Sequence, residues 1–153
     1  MRHKPHPTRC LLAACQTPPQ TKALLAKNNF LSSQHTILNV PFYPQQAFFC
    51  GPTTLFEVTN FYGGTNSPQD IAPATFIPDL EGTLQIEMLA SSRQNGLLAC
   101  AGRGSIRHLL GLVRDNIPVI VLQNNAISLF PMWHYAVVIR YDLAAEEIIL
   151  HTL

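Results

Sequence analysis

The stretch Val40-Pro-Phe-Tyr-Pro-Gln-Gln-Ala-Phe-Phe-Cys-Gly-Pro-Thr-Thr-Leu55 constrains this chain more than any other. It reads as an extended segment, then a loop with paired glutamines, then a cysteine at the mouth of a helix. Pro52 suits the first helical turn, where its missing N–H leaves no hydrogen bond unmade. Leu55, Val58 and Tyr62 recur at helical spacing, and Gly63-Gly64 ends the run. Cys50 therefore meets unpaired backbone N–H groups and the positive end of a helix dipole, both of which favour a thiolate. Gln45 and Gln46 lie just upstream, where a side-chain amide could hold an oxyanion. The competing reading is a buried structural cysteine, because a free thiol packs as a small hydrophobe.

A nucleophilic cysteine needs a base, and Trp133-His-Tyr-Ala-Val-Val-Ile-Arg-Tyr-Asp142 offers one. Its β-branched and aromatic content predicts a strand, with His134 near the start, where an imidazole can face a cleft. A cysteine and a histidine remote in sequence form a candidate nucleophile–base pair if the fold brings them together. The Gln-x-x-x-x-Cys-Gly-Pro pattern followed by a His-Tyr-Ala-Val-Val strand resembles the bacteriocin-processing, double-glycine leader peptidase-like group of papain-like cysteine peptidases. The resemblance runs from about Asn39 to the C-terminus. It implies an α+β papain-like fold, an N-terminal helical part packed on a C-terminal antiparallel sheet, with residues 36–153 as the peptidase domain. It also implies that Cys50, His134 and Gln45 are catalytic, that the substrate is a peptide or protein, and that no cofactor takes part.

Composition narrows the alternatives. A chain of 153 residues is one domain by length, and 47% hydrophobic with 12% charged residues describes a packed globule. A formal charge of +1 makes no electrostatic case for nucleic acid. No apolar run approaches the ~20 residues that cross a bilayer. The four cysteines and six histidines lack zinc-ligand spacing, which argues against a metal site.

The N-terminal region looks separate from the domain. Arg2, Lys4 and Arg9 have no acidic neighbour, like the basic start of an export signal. Leu12-Ala-Ala-Cys15 resembles a lipobox, which implies cleavage before Cys15, a lipid on that cysteine, membrane attachment and a cell-envelope location. The apolar run before Cys15 is shorter than the ~7–15 residues of an export signal's core. A basic tail on a cytoplasmic protein is the other reading. Residues 1–15 are thus a candidate lipoprotein-type signal, and residues 16–35 read as a tether of polar and mixed character.

The remaining elements follow from pattern. Thr36–Pro41 is the expected first strand, and Asn66–Ala72 a short helix with Pro68 in its first turn. Pro73–Gly82 reads as mostly loop, and Thr83–Gln94 as a helix capped by Thr83. Leu97–Ala101 reads as an interior strand, with Cys100 in the core. Ser105 caps a helix with Ile106, Leu109, Leu110 and Val113 on one face, and His108 falls off that stripe. Pro118–Leu122 reads as a buried strand, Gln123–Ala126 as a turn, and Ile148–Leu150 as the strand returning beside the histidine strand.

The chemistry expected of such a site is acyl transfer to Cys50 followed by hydrolysis, with His134 taking and returning the proton. The third member departs from the family pattern. An aspartate is usual on the strand after the histidine strand, but Ile148-Ile-Leu-His-Thr-Leu153 has no acid. Asp142 lies too far along the strand, while His151, Asn124 and Asn125 remain candidates to orient the ring. Two other functions stay open: an impaired, peptide-binding member, and a thiol acyltransferase or amidase.

Overall fold

The computed structural model describes residues 18–27 and 30–152. The candidate signal at residues 1–15, with its lipid-bearing Cys15, lies outside the described residues. In chain order come α1 (Pro19–Ala26), β1 (Gln34–Thr36), α2 (Cys50–Phe61), α3 (Pro68–Thr75), a 3-10 turn (Pro78–Leu80), α4 (Gln85–Gln94), α5 (Ile106–Arg114), β2 (Val119–Asn124), β3 (Trp133–Asp142) and β4 (Glu147–His151). Helices thus combine with a four-stranded antiparallel sheet, the α+β class expected.

Strand β3 organises the sheet, because it pairs with all three others. Residues 140–142 pair with β1 and also with β4, so those two strands lie on opposite edges of β3. Residues 137–138 likewise pair with β2 and β4, which puts β2 on the same edge as β1. Helices cover the middle of β3 on both faces, and there Ala136, Val137 and Val138 are apolar and fully buried.

The pleat divides the core in two. On one face Tyr135, Ile120 and Leu122 meet Leu55 of α2, Ile71 of α3 and Met88 of α4. On the other, Val121, Val138, Tyr141 and Leu150 meet Leu24 of α1 and Leu110 and Val113 of α5. Val138 and Tyr141 are three residues apart yet share a cluster, which the register irregularity between Val138 and Arg140 accommodates.

Two helices match their sequence signals closely. The side chain of Ser105 accepts the His108 N–H at 3.2 Å, and α5 turns its apolar stripe to the sheet. Helix α2 starts at Cys50 and gives way to Gly63, whose φ of +90° is one that glycine adopts without strain.

Other expectations need correction. The tether at 16–35 contains helix α1, and both Leu24 and Leu31 are buried in the core, so the packed body begins upstream of residue 36. Pro19 occupies a first helical turn, not an extended linker. The first strand is Gln34–Thr36, not Thr36–Pro41. After Ile37 N–H donates to Ile139 C=O, Asn39 takes a φ of 64° and turns the chain off the sheet. Helix α3 continues through Pro73 to Thr75, beyond the expected end. Helix α4 starts at Gln85 without a side-chain cap, so Thr83 is not its N-cap.

Leu97–Ala101 forms no strand. The Ala99 carbonyl accepts from the Arg93 guanidinium at 3.1 Å instead of from a neighbouring strand, and Leu98 is 97% exposed. Cys100 is exposed as well, not part of the core. Strand β2 runs on through Asn124, past the expected turn at Gln123–Ala126, and is half-buried along its length.

Candidate active site

The cysteine is aimed by the turn before it. Phe49 N–H donates to the Gln46 carbonyl at 3.0 Å, and Phe48 takes a left-handed φ of 65° inside that turn. A bulky residue held there costs about 1–3 kcal/mol, and such strain gathers at functional positions. The chain then enters α2 with half-buried Cys50 as its first residue. No side chain caps the helix, so the Cys50 and Gly51 amides keep their donors free of helical partners. Thr54 Oγ1 donates to the Cys50 carbonyl at 2.8 Å and firms the first turn. Gly51 is required by space, because a Cβ there would collide with the side chain of Thr83.

The two glutamines differ. Gln45 is buried, at 8% exposure, and among the described residues neither its amide nitrogen nor its amide oxygen has a hydrogen-bond partner. Gln46 is exposed. The Thr83 hydroxyl, beside Gly51, is also buried and without a partner among the described residues. The nearby aromatics divide similarly: Phe42 and Phe48 are exposed, while Tyr43 packs edge-on against Phe56 and Phe49 makes a tilted stack with Phe76.

His134 sits at the second position of β3, half-buried, opposite Gln123 of β2. Backbone alternation turns it away from Tyr135, and its Nε2 meets the Thr152 hydroxyl at 2.9 Å. Thr152 directly follows β4, so the pairing of β3 with β4 brings the two side chains together. When the ring carries its proton on Nε2, it donates to Thr152 Oγ1 and keeps a free lone pair on Nδ1.

Cys50 lies close to this strand. It packs against the cluster that contains Tyr135, and after burial its charge is the next influence raising the Tyr135 hydroxyl pKa. Alternation along β3 puts His134 and Thr152 on the face opposite Tyr135, so the ring is not aimed at Cys50, and among the described residues no hydrogen bond joins the Cys50 thiol to His134. Nor, among the described residues, do Asn124, Asp142 or His151 bond the ring. Asn124 Oδ1 accepts from Ala126 and Met132 N–H in the hairpin loop. Asp142 accepts from Ala144 and Ala145, and the His151 ring turns to Glu57.

A family model described as the Peptidase_C39 like family matches residues 37–151. The chain belongs to this family. The match takes in the Cys50 helix, the His134 strand and all of β4, and stops one residue short of Thr152. Neither the curated proteins nor the solved structures gave a match. Membership of the C39-like family points to cysteine-peptidase chemistry in general terms.

Electrostatics in this C39-like protein follow from burial. Desolvation lowers the pKa of His134 below its ordinary value, which favours the neutral ring a general base requires. His151 is lowered for the same reason. Glu57, fully buried in α2, is raised by desolvation to about 7, partly countered by the N–H that Tyr43 donates to it. A cavity of about 790 Å³ lies between α2, α4, the 97–101 segment and β2, but neither Cys50 nor His134 lines it. Among the described residues no group of three or more histidine, cysteine or acidic side chains could hold a metal ion, and no helix is long and apolar enough to cross a membrane.

Sequence reasoning missed Thr152 and Glu57. A hydroxyl in place of the usual carboxylate carries no chemical signature. A glutamate inside an apolar helical run was the only hint of a buried partner.

Proposed function

We propose that this C39-like protein is a cysteine peptidase with Cys50 as nucleophile, His134 as base and Thr152 as the group orienting the base. The observation that carries the reading is the Thr152–His134 hydrogen bond, which holds Nε2 and leaves Nδ1 unengaged. With the ring turned round the start of β3 toward the Tyr135 face, Nδ1 would accept the Cys50 proton as Sγ attacks the carbonyl carbon of a peptide bond. The oxyanion would be met by the Cys50 N–H and the Gln45 amide, whose donors are free. Breakdown of the tetrahedral adduct breaks the C–N bond, and the imidazolium protonates the departing amine. Water then attacks the thioester, its proton passing to His134, and the Cys50 thiolate leaves.

Substituting Thr152→Val removes the hydroxyl and keeps the shape. Loss of about one hydrogen bond, roughly 1.4 kcal/mol, lowers kcat about tenfold with KM little changed. Thr152→Asp restores a carboxylate and raises kcat above that of wild type, measured on a peptide library. Equal turnover in all three proteins would remove Thr152 from the mechanism.

A second reading has its own support. A neutral hydroxyl orients an imidazole less firmly than a carboxylate, and the Cys50 thiol and His134 are not hydrogen-bonded. Both features suit a peptide-binding member with impaired chemistry. Alkylation of Cys50 by iodoacetamide against pH separates the two readings, because an activated thiolate reacts well below the ordinary thiol pKa of ~8.5. An ordinary titration would favour the binding module.

A further inference from the structure

Glu57 is the one carboxylic side chain that is buried among the described residues. It lies seven residues after Cys50, about two turns along α2, and is fully buried. The face it occupies packs on a sheet, where an apolar residue would be the default. A carboxyl enclosed in this way is expensive unless its oxygens are satisfied. Here each oxygen is used, and each reaches a different segment. Tyr43 N–H donates to Oε1 at 3.0 Å, and His151 Nδ1 meets Oε2 at 3.2 Å. Phe42, itself exposed, sets its ring edge-to-face on His151, centroids 5.2 Å apart.

These three attachment points adjoin the proposed catalytic groups. Tyr43 is two residues before Gln45, His151 is immediately before Thr152, and Glu57 shares its helix with Cys50. One carboxyl therefore ties together the glutamine loop, the cysteine helix and the strand end that orients His134. Helix–sheet packing alone would leave these pieces free to slide by fractions of an ångström, because apolar contacts are not directional. Geometry of that kind decides whether reacting groups meet.

We propose that Glu57 is a positioning residue, which sets the placement of Cys50, Gln45 and Thr152 relative to one another through its bonds to Tyr43 and His151. The inference rests on the peptidase reading above. An apolar replacement removes both directional bonds and preserves burial, whereas glutamine can still accept from Tyr43 and donate to His151 Nδ1.

The test compares wild type with Glu57→Leu, Glu57→Gln and His151→Phe. Peptide hydrolysis and the pH profile of Cys50 alkylation report the chemistry. Amide hydrogen exchange over residues 40–49 and 147–152 reports the placement. Glu57→Leu should stay folded, lose at least tenfold in kcat and shift its alkylation profile toward an ordinary thiol, with faster exchange in both segments. Glu57→Gln should stay within about threefold of wild type. If Glu57→Leu does not fold, His151→Phe serves in its place, cutting only the link to β4 and speeding exchange in 147–152. Unchanged turnover and unchanged exchange in Glu57→Leu or His151→Phe would overturn the proposal. A wild-type protein that cleaves nothing and alkylates only near ~8.5 would instead remove the peptidase reading, and the exchange data would then decide the positioning role alone.

Discussion

Gln45 keeps an enclosed amide with no partner at either end among the described residues. Each such unmet group costs about 1–3 kcal/mol, so a folded chain has reason to avoid one unless something else uses it. An incoming oxyanion is such a user. Replacing Gln45 with Met removes the unmet polar atoms at similar volume, so the melting temperature should hold or rise. Turnover should fall about a hundredfold, the usual effect of losing one oxyanion donor. A drop in stability with turnover intact would mean that the amide serves the fold and not the reaction. The roles proposed for Cys50, His134 and Gln45 can be read from the sequence because each residue type suggests its chemistry. That of Thr152 cannot, because threonine is equally at home at the end of any strand. Residue type alone points to His151 for the role proposed for Thr152. The one-residue difference reverses the face, and side-chain alternation cannot be counted until the strand register is known.

The elements are legible wherever a strong period coincides with a terminal signal. Helix α5 has its serine cap and an apolar stripe, and it closes one core cluster with Leu110 at 2% exposure and Val113 fully buried. Leu110→Ala should therefore cost about 2–5 kcal/mol in urea denaturation, while Cys50 reactivity changes little, because α5 packs on the face away from α2. A smaller loss would mean that the cluster collapses around the gap. Leu97–Ala101 and α1 mislead for opposite reasons. The Leu97–Ala101 run is apolar but finds no strand to pair with. Helix α1 follows a polar, proline-rich stretch, yet Leu24 and the neighbouring Leu31 draw it into the core. A short run carries too little pattern to decide either case, and tertiary contacts decide it instead.

Over the whole molecule, buried ionisable groups oppose one another in their response to pH. Glu57 has its pKa raised from 4.5 to about 7, so between those values the folded chain keeps a proton that the unfolded chain has released. Its contribution to stability is fully present below 4.5 and is lost as pH rises through about 7. His134 and His151 are lowered from 6.5, so their contribution is present above that value and is lost as pH falls through their folded-state pKa values. The two trends offset in wild type and flatten its profile on the acid side of neutrality. Glu57→Gln removes the first trend only. The stability difference, mutant minus wild type, should then climb from pH 5 to pH 8, by at most about 3 kcal/mol for a shift of this size. Urea denaturation of both proteins at unit steps of pH measures it. A difference that stays level would mean that Glu57 titrates alike in the folded and unfolded chains, and that the carboxyl at the centre of the site is reached by water.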